Sequence, residues 1–524
     1  MKCGFLKVQD VIEQIQSVKL KNLIDEYIEG VEAGKARSTS LCPRFGECGS
    51  CTYSDVPYKV QVAAKLHAVK HLLSLVEQGA GQAFLADAKI KIIASPEDVY
   101  YRTRMDYAID FNGRLGLKKK GTWHTILHGH TCILPYKTIH DVFKWLDKRL
   151  VEFGLQGFDR LQRKGELSFA VVQGSRNMAQ VTFVIRSETW RAAGKQVVHK
   201  LEKLAQEMFK ALGFVVAVNL AVTESRREDS NGEVIWSETN TMALDRFGLR
   251  QIYDKFVPDV SLPFIVQKFG GIKYPVPALG FFQPNIYTAG ILQDVVVSGV
   301  LGAGGQGVVG HEQITHGQIA ADAGNVGKDI GNEPIPGVID LFGGVGFLTA
   351  PLALQHGFAV HVVEVGSYVD GLAKVFWELN KAKIHDGGQV LESLQQNITG
   401  TNIDPGVGVR ADAGSNFAGQ LHFHRQDAYE LDILGLLDST QARFLVLDPP
   451  RRGLTRRLQK RLVAAAPHLN KIIYVSCNIK QFAIEFTKRL HEAYTIKKIT
   501  LIDQFAHTPH VEAVIELTPK GALH

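Results

Sequence analysis

Phe444-Leu445-Val446-Leu447-Asp448-Pro449-Pro450-Arg451-Arg452-Gly453 and Ile472-Ile473-Tyr474-Val475-Ser476-Cys477-Asn478 decide how this chain folds. Each is an apolar, β-favouring run that stops abruptly at polar, reactive residues. In an open α/β sheet such a stop marks the carboxyl end of a buried strand, where ligands bind. One stop offers a carboxylate on a stiff Pro-Pro turn, the other a thiol between Ser and Asn. A thiol at the mouth of a parallel sheet is a candidate nucleophile. The plain alternative is a buried structural cysteine, since free Cys is among the most buried residue types.

Working outward, Val338-Ile339-Asp340-Leu341-Phe342 and Val360-His361-Val362-Val363-Glu364 are further short apolar strands separated by helical segments. The pattern predicts a doubly wound, mostly parallel sheet over residues 276–524. Two Gly-rich stretches, near 299–337 and 387–419, interrupt it and read as surface insertions. Gly302-Ala303-Gly304-Gly305-Gln306-Gly307 in the first is near a nucleotide-loop pattern, but no acidic strand end follows at the right distance. Within a central domain over residues 41–275, the chain from about 90 alternates in short strands, such as Val181 to Ile185 and Phe214 to Val218, and predicts a mostly antiparallel α+β unit. An amphipathic helix is expected from Tyr58 to Glu77, with Val62, Leu66, Val69 and Leu73 on one face. Residues 1–40 predict a helical extension.

With 524 residues the chain is too long for one hydrophobic core. Its 45% hydrophobic and 21% charged residues are those of an ordinary globular protein. A formal charge of +6 suits an anionic partner without requiring one. No basic-then-apolar leader opens the chain and no apolar run reaches membrane-spanning length, so a cytoplasmic protein without membrane partners is expected. Six cysteines in so long a chain do not make a secreted disulfide framework.

Two patterns suggest cofactors. Phe342-Gly343-Gly344-Val345-Gly346-Phe347 joins a strand to a helix that should stop at Gly357. Gly344 and Gly346 let backbone approach a ligand closely. Glu364 ends the next strand about 20 residues on, where an acid accepts ribose hydroxyls. With one Gly-x-Gly and no third glycine in step, S-adenosylmethionine fits better than a dinucleotide. A tight turn that binds nothing is the bland alternative. Cys42, Cys48 and Cys51 lie within ten residues, and Cys132 stands apart in His130-Thr131-Cys132-Ile133-Leu134-Pro135. Four thiolates suit an iron–sulfur cluster or tetrahedral zinc. Their spacing lacks the paired C-x2-C of zinc ribbons, and four ligands leave no open iron, which favours a structural role. Cys3 has no obvious partner.

Together these residues resemble the RNA uracil-C5 methyltransferases, over most of the chain from about 41 to 519 outside the insertions. The resemblance implies a Rossmann-like class I methyltransferase domain after the α+β domain with its cysteine cluster. It implies S-adenosylmethionine as cofactor, and a 4Fe-4S cluster on Cys42, Cys48, Cys51 and Cys132. Phe281-Phe282-Gln283-Pro284-Asn285 is similar to the family's F-F-Q-x-N, whose Gln contacts the cofactor. Phe342 and Glu364 fall at cofactor-contacting places, and Asp427 is similar to the acid that contacts adenine. Asp448-Pro449-Pro450-Arg451 matches D-P-P-R, and Asp448 would orient cofactor or uracil. Ser476-Cys477-Asn478 carries the nucleophile. His507-Thr508-Pro509-His510-Val511-Glu512 matches the H-T-x-H-V-E ending, whose Glu is the base. There are departures: Gly343 and Phe347 replace a frequent Cys and Asn, Ile479 replaces a Pro, and the N-terminal TRAM barrel of some members is absent.

The chemistry explains why such residues are needed. Uracil carbon 5 becomes nucleophilic only when a thiolate adds at carbon 6. Cys477 would be that thiolate, and its proton must leave first. Glu512 would then remove the carbon-5 proton so that the thiol can be eliminated. RNA phosphates would meet Arg451, Arg452, Arg456, Arg457, Lys460 and Arg461, and a second region of Arg102, Arg104, Arg114 and Lys118 to Lys120. For any one of these a solvated helix face is the plain alternative. Tyr100, Tyr101 and Trp123 could stack on bases or fill a core. The expected substrate is 23S rRNA, with tRNA as the alternative, and a monomer is expected. An iron–sulfur oxidoreductase and a catalytically silent RNA-binding relative are the competing classes.

Overall fold

The computed structural model describes residues 8–31, 37–80, 89–302 (apart from 123, 130, 131, 148, 160, 161, 163, 225–229 and 258–262), 336–385 (apart from 367) and 421–521. Cys3, Trp123, Ala303 to Gly307 and most of both Gly-rich stretches lie outside the described residues. Helices α1 (Val8–Ser17), α2 (Leu20–Gly30) and α3 (Tyr58–Ala80) lead to strand β1 (Lys89–Ile93). Then come β2 (Arg104–Ile109), β3 (Leu115–Lys118), β4 (Ile126–His128), β5 (Leu167–Gly174), β6 (Ala179–Arg186), helix α4 (Ser187–Ala211), β7 (Val215–Thr223) and β8 (Glu233–Thr239). These seven strands form one sheet in the order β4-β3-β2-β5-β6-β7-β8. It is antiparallel except for β6 and β7, which α4 joins as a crossover. The expected α+β domain is present.

A hairpin of β9 (Phe264–Phe269) and β10 (Ile272–Pro277) follows, then α5 (Ala289–Leu301). The chain next alternates β11 (Gly337–Leu341), α6 (Ala350–His356), β12 (Val360–Glu364), α7 (Val369–His385), β13 (Leu421–Arg425), β14 (Ala442–Leu447), α8 (Arg456–Ala465), β15 (Lys471–Ser476), α9 (Ile479–Lys488), β16 (Tyr494–Ile502) and β17 (Glu512–Pro519). The sheet order is β1-β16-β17-β15-β14-β11-β12-β13. Strands β11 to β15 are parallel, while β17 runs antiparallel between β15 and β16. This is the Rossmann-like sheet expected from the strand stops. Its order reverses between β11 and β14, which opens a crevice at their carboxyl ends. Both faces are covered, so the central strands read as near-continuous apolar runs. Leu445, Leu447 and Tyr474 pack one core, and Val446, Ile473 and Val475 another.

Two features position the site. Gly357, at φ 76°, ends α6 as expected, sparing the strain of a side chain in the left-handed region. The N-terminal segments also serve the methyltransferase sheet. Strand β1, from within residues 41–275, pairs in parallel with β16 at its edge. Val11, Ile12 and Ile15 of α1 join Val69, Leu72 and Val76 of α3 in the core that also holds Phe482 and Phe486 of α9.

Candidate active site

The carboxyl ends of β11, β12, β14 and β15 bring the sequence candidates to one rim. Glu512 joins them because β17 is antiparallel: the register Ser476↔Ala513 sets its first residue beside Cys477. At the end of β11, Phe342 takes φ 65°, and Gly344 and Gly346 take φ 55° and 71°. A side chain at Gly343 would place its Cβ 2.7 Å from the Asp340 carboxyl carbon, which explains the glycine there. Glu364 stitches this loop together: Oε2 accepts from the Gly344 N–H at 3.2 Å, and Oε1 from Val365 and Gly366 at 2.9 and 3.2 Å. The Phe347 side chain has no polar atom to offer, and only its carbonyl accepts, from the Gln293 side chain. Its ring instead meets Phe269, Tyr274 and Phe282 edge-on at 5.3, 5.1 and 4.8 Å, an apolar wall under the loop. A cleft of about 340 Å³, counting the solvent at its mouth, is lined by Phe342, Gly344, Glu364, Gly280, Phe281 and Tyr368. Phe281 is 70% exposed at its edge. Asp427 lies on the loop after β13, where its Oδ1 accepts from the Tyr429 N–H at 2.9 Å.

On the other side of the crevice, Asn478 ties the two decisive stretches together. Its side chain caps α9 by accepting from the Gln481 N–H at 3.4 Å and donates to the Arg451 carbonyl at 3.1 Å. Ile479 opens α9 buried in the core. Burial pushes the Cys477 thiol up to about 11, the nearby Glu512 and Asp448 push the same way, and Arg451 opposes them. Burial pushes Asp448 up to about 7. Glu512, 4% exposed, is held well above the usual carboxylate range by burial and by Asp448, with Arg451 opposing. The rim therefore stores protons: two carboxyls and a thiol whose ionised forms repel one another beside one guanidinium.

The turn carrying Glu512 is fixed by groups that the sequence patterns did not single out. His507 takes φ 65°. Its carbonyl accepts from the Thr52 and Tyr53 N–H groups at 2.7 and 3.0 Å, just past Cys51. Its own N–H donates to Gln61 Oε1 at 2.9 Å. Lys65, one turn on from Gln61, pairs with Asp503 at 2.7 Å, both side chains at most 1% exposed. Gln504 donates to Gln283 Oε1 at 3.1 Å and to Glu512 Oε2 at 3.4 Å. The expected stripe on α3 names only apolar residues, so it passes over Gln61 and Lys65, which its spacing alone could have paired at i and i+4.

Cys42, Cys48 and Cys132 are buried and Cys51 is half-buried. Burial pushes Cys51 up to about 12, and the charges of Cys132, Cys48 and Cys42 add to this, while Arg102 opposes it. Cys132, pushed up to about 11 by burial, feels Arg102, Cys48 and Cys42 in the same senses. The four thiols thus share one neighbourhood with a guanidinium. Among the described residues, however, no three His, Cys, Asp or Glu side chains are arranged as a metal-holding group.

The basic regions are only partly available. Arg451, Arg452, Arg456 and Lys460 are exposed. Arg457 pairs with Glu430, and Arg461 donates to the Tyr429 carbonyl at 3.1 Å. In the second region Arg104 is held by Asp106 and the Leu279 carbonyl, and Lys118 sits over Phe169 at 5.2 Å. Tyr101 is a core residue whose hydroxyl donates to the Ala506 carbonyl at 3.0 Å, whereas Tyr100 is 46% exposed.

Residues 378–520 match the family described as tRNA (Uracil-5-)-methyltransferase. A 23S rRNA (uracil(747)-C(5))-methyltransferase of Pyrococcus horikoshii is 25% identical over 92% of this chain and 85% of that protein. A tRNA (uracil(54)-C(5))-methyltransferase of Pyrococcus abyssi is 22% identical over 97% of this chain and 92% of that one. Along most of its length the chain is thus similar to RNA uracil-C5 methyltransferases. The crystal structure of the Pyrococcus abyssi tRNA (uracil-54, C5)-methyltransferase with S-adenosyl-L-homocysteine shares the fold, with a TM-score of 0.57 at 20% identity over 93% of this chain and 88% of that chain. No helix among the described residues is long and apolar enough to cross a membrane.

Proposed function

We propose that the protein methylates carbon 5 of a uridine in RNA with S-adenosylmethionine as donor. The single observation that carries this is the juxtaposition of Cys477, Asp448 and Glu512 at one end of the sheet, beside a glycine-loop cleft. Cys477, ionised, adds to carbon 6 and carbon 5 takes the methyl from the sulfonium. Glu512, ionised, removes the carbon-5 proton, and the thiolate is then eliminated. Cofactor contacts are assigned to Gln283, Phe342, Gly344, Gly346, Glu364, Asp427 and Asp448. The cleft lined by Phe342, Gly344 and Glu364 supports this assignment.

Cys42, Cys48, Cys51 and Cys132 would hold a 4Fe-4S cluster, the soft donor set such iron prefers. Their mutual electrostatic reach and the neighbouring Arg102, a countercharge for an anionic cluster, support this. The cluster would supply structural bracing of the segment that caps His507. Of the two RNA classes we assign 23S rRNA, because the four-cysteine pattern resembles that of the bacterial ribosomal enzymes. The relative at 25% identity, named for 23S rRNA, supports it.

The test is methyl transfer to unmodified 23S fragments and tRNA transcripts in parallel at one salt concentration, with Glu512→Gln alongside. The variant should trap a protein–RNA band on a denaturing gel. Normal turnover by it removes Glu512 from the base role. Labelling of tRNA alone reverses the substrate and keeps the chemistry.

A further inference from the structure

Glu512 can act as base only when ionised, yet burial and Asp448 both favour its neutral form. Arg451 favours the carboxylate, and the Gln504 carboxamide nitrogen lies 3.4 Å from Glu512 Oε2, where a donor serves a carboxylate as well. Gln504 sits in the turn between β16 and β17 and is 0% exposed. Its side-chain nitrogen has two hydrogens and two acceptors: Gln283 Oε1 at 3.1 Å and Glu512 Oε2 at 3.4 Å. Its side-chain oxygen faces the Thr288 hydroxyl at 3.5 Å, and its backbone carbonyl accepts from Asn285 Nδ2 at 3.4 Å. Both ends of the carboxamide are thus engaged, and only the nitrogen end can serve a carboxylate.

We propose that Gln504 is a positioning residue that aims Glu512 for proton removal and locks the orientation of Gln283 on the cofactor side. The proposal rests on Glu512 being the base. With Oε2 held by Gln504, Oε1, which has no partner among the described residues, is the oxygen that receives the carbon-5 proton. Because Gln283 Oε1 is taken by the same amide, one side chain links the cofactor-contacting glutamine to the base. A donor to the carboxylate lowers its pKa, so Gln504 offsets part of what burial and Asp448 impose. The charged and titratable groups facing Glu512 are Asp448, Cys477 and Arg451, and none of them donates the bond that Gln504 makes.

The test uses the full chain as Gln504→Met, which keeps length and removes both donors, and as Gln504→Glu, which keeps shape and adds a carboxyl. Formation and decay of the covalent adduct on an unmodified RNA transcript are followed from pH 6 to 9, beside binding of S-adenosylhomocysteine and the melting temperature. For Gln504→Met the adduct should form and accept its methyl, while product release slows about tenfold, the worth of a hydrogen bond to a charged group. The pH midpoint for release should rise, and rise further for Gln504→Glu. A uniform slowing of both steps with an unmoved midpoint would mean a merely structural glutamine and overturn the proposal. Wild-type release by Gln504→Met while Glu512→Gln still traps the adduct overturns it too, leaving the base assignment intact. Normal turnover by Glu512→Gln removes the base and this proposal together.

Discussion

Replacing Lys65 by Met should be among the most damaging single changes away from the catalytic rim. The ammonium lies 2.7 Å from Asp503 Oδ1 and 3.1 Å from the Phe505 carbonyl, with both side chains out of water. At an effective dielectric of about 20, two charges at this distance attract by ~6 kcal/mol, and desolvation offsets much of that. Met fills the volume but leaves the Asp503 carboxyl buried without its ammonium, and its Oδ2 has no partner among the described residues. Breaking a buried pair in this way costs about 3–5 kcal/mol. Replacing the carboxyl by a neutral amide should recover much of the loss, so Lys65→Met/Asp503→Asn should be more stable than Lys65→Met by about 2 kcal/mol. Urea unfolding of the two single variants and the double variant, followed by tryptophan fluorescence, measures the coupling. A Lys65→Met cost under about 1 kcal/mol, or a double variant worse than the sum of the singles, would refute the claim that this pair pins the turn.

Three further expectations follow from the rim and the cysteine segment. Because the Cys477 thiol is pushed up to about 11, alkylation of the free enzyme by iodoacetamide at this residue should rise through pH 9–11, and mass spectrometry of the labelled peptide should place the midpoint above 9. Asp340 is pushed up to about 7, mainly by burial, so the folded state holds its proton more tightly than the unfolded chain. Its contribution to stability is therefore full below about pH 4 and lost as pH rises through 7. Asp340→Asn should gain melting temperature relative to wild type at pH 8 compared with pH 5, and equal differences at both would remove this linkage. Anaerobically purified protein should carry about four iron atoms per chain, which Cys48→Ser should abolish; stoichiometric zinc instead would reassign the centre.

The central sheet was legible because strands buried on both faces must be apolar along their length, and their polar stops expose the chemistry. The Gly357 cap was legible for the same local reason. Strand β1 was not: Lys89-Ile90-Lys91-Ile92-Ile93 is short and carries two lysines in five residues, and its partner lies at Lys498–Ile502. Gln61, Lys65 and Gln504 escaped notice because their roles depend on contacts between distant segments. The basic runs were legible as charge but not as availability, since Glu430, Asp106 and nearby carbonyls claim several of those side chains.

The pairing of β1 with β16 has a consequence for how the protein is made. Lys89 waits for Lys498, about 400 residues later. At translation rates of about 5–20 residues per second, that interval lasts some ~20–80 s. Throughout it, Val11, Ile12 and Ile15 of α1 lack their partners on α9, and the edge of β1 stands open. These early-made segments are thus among the last to be fully buried, once α9, β16 and β17 have emerged.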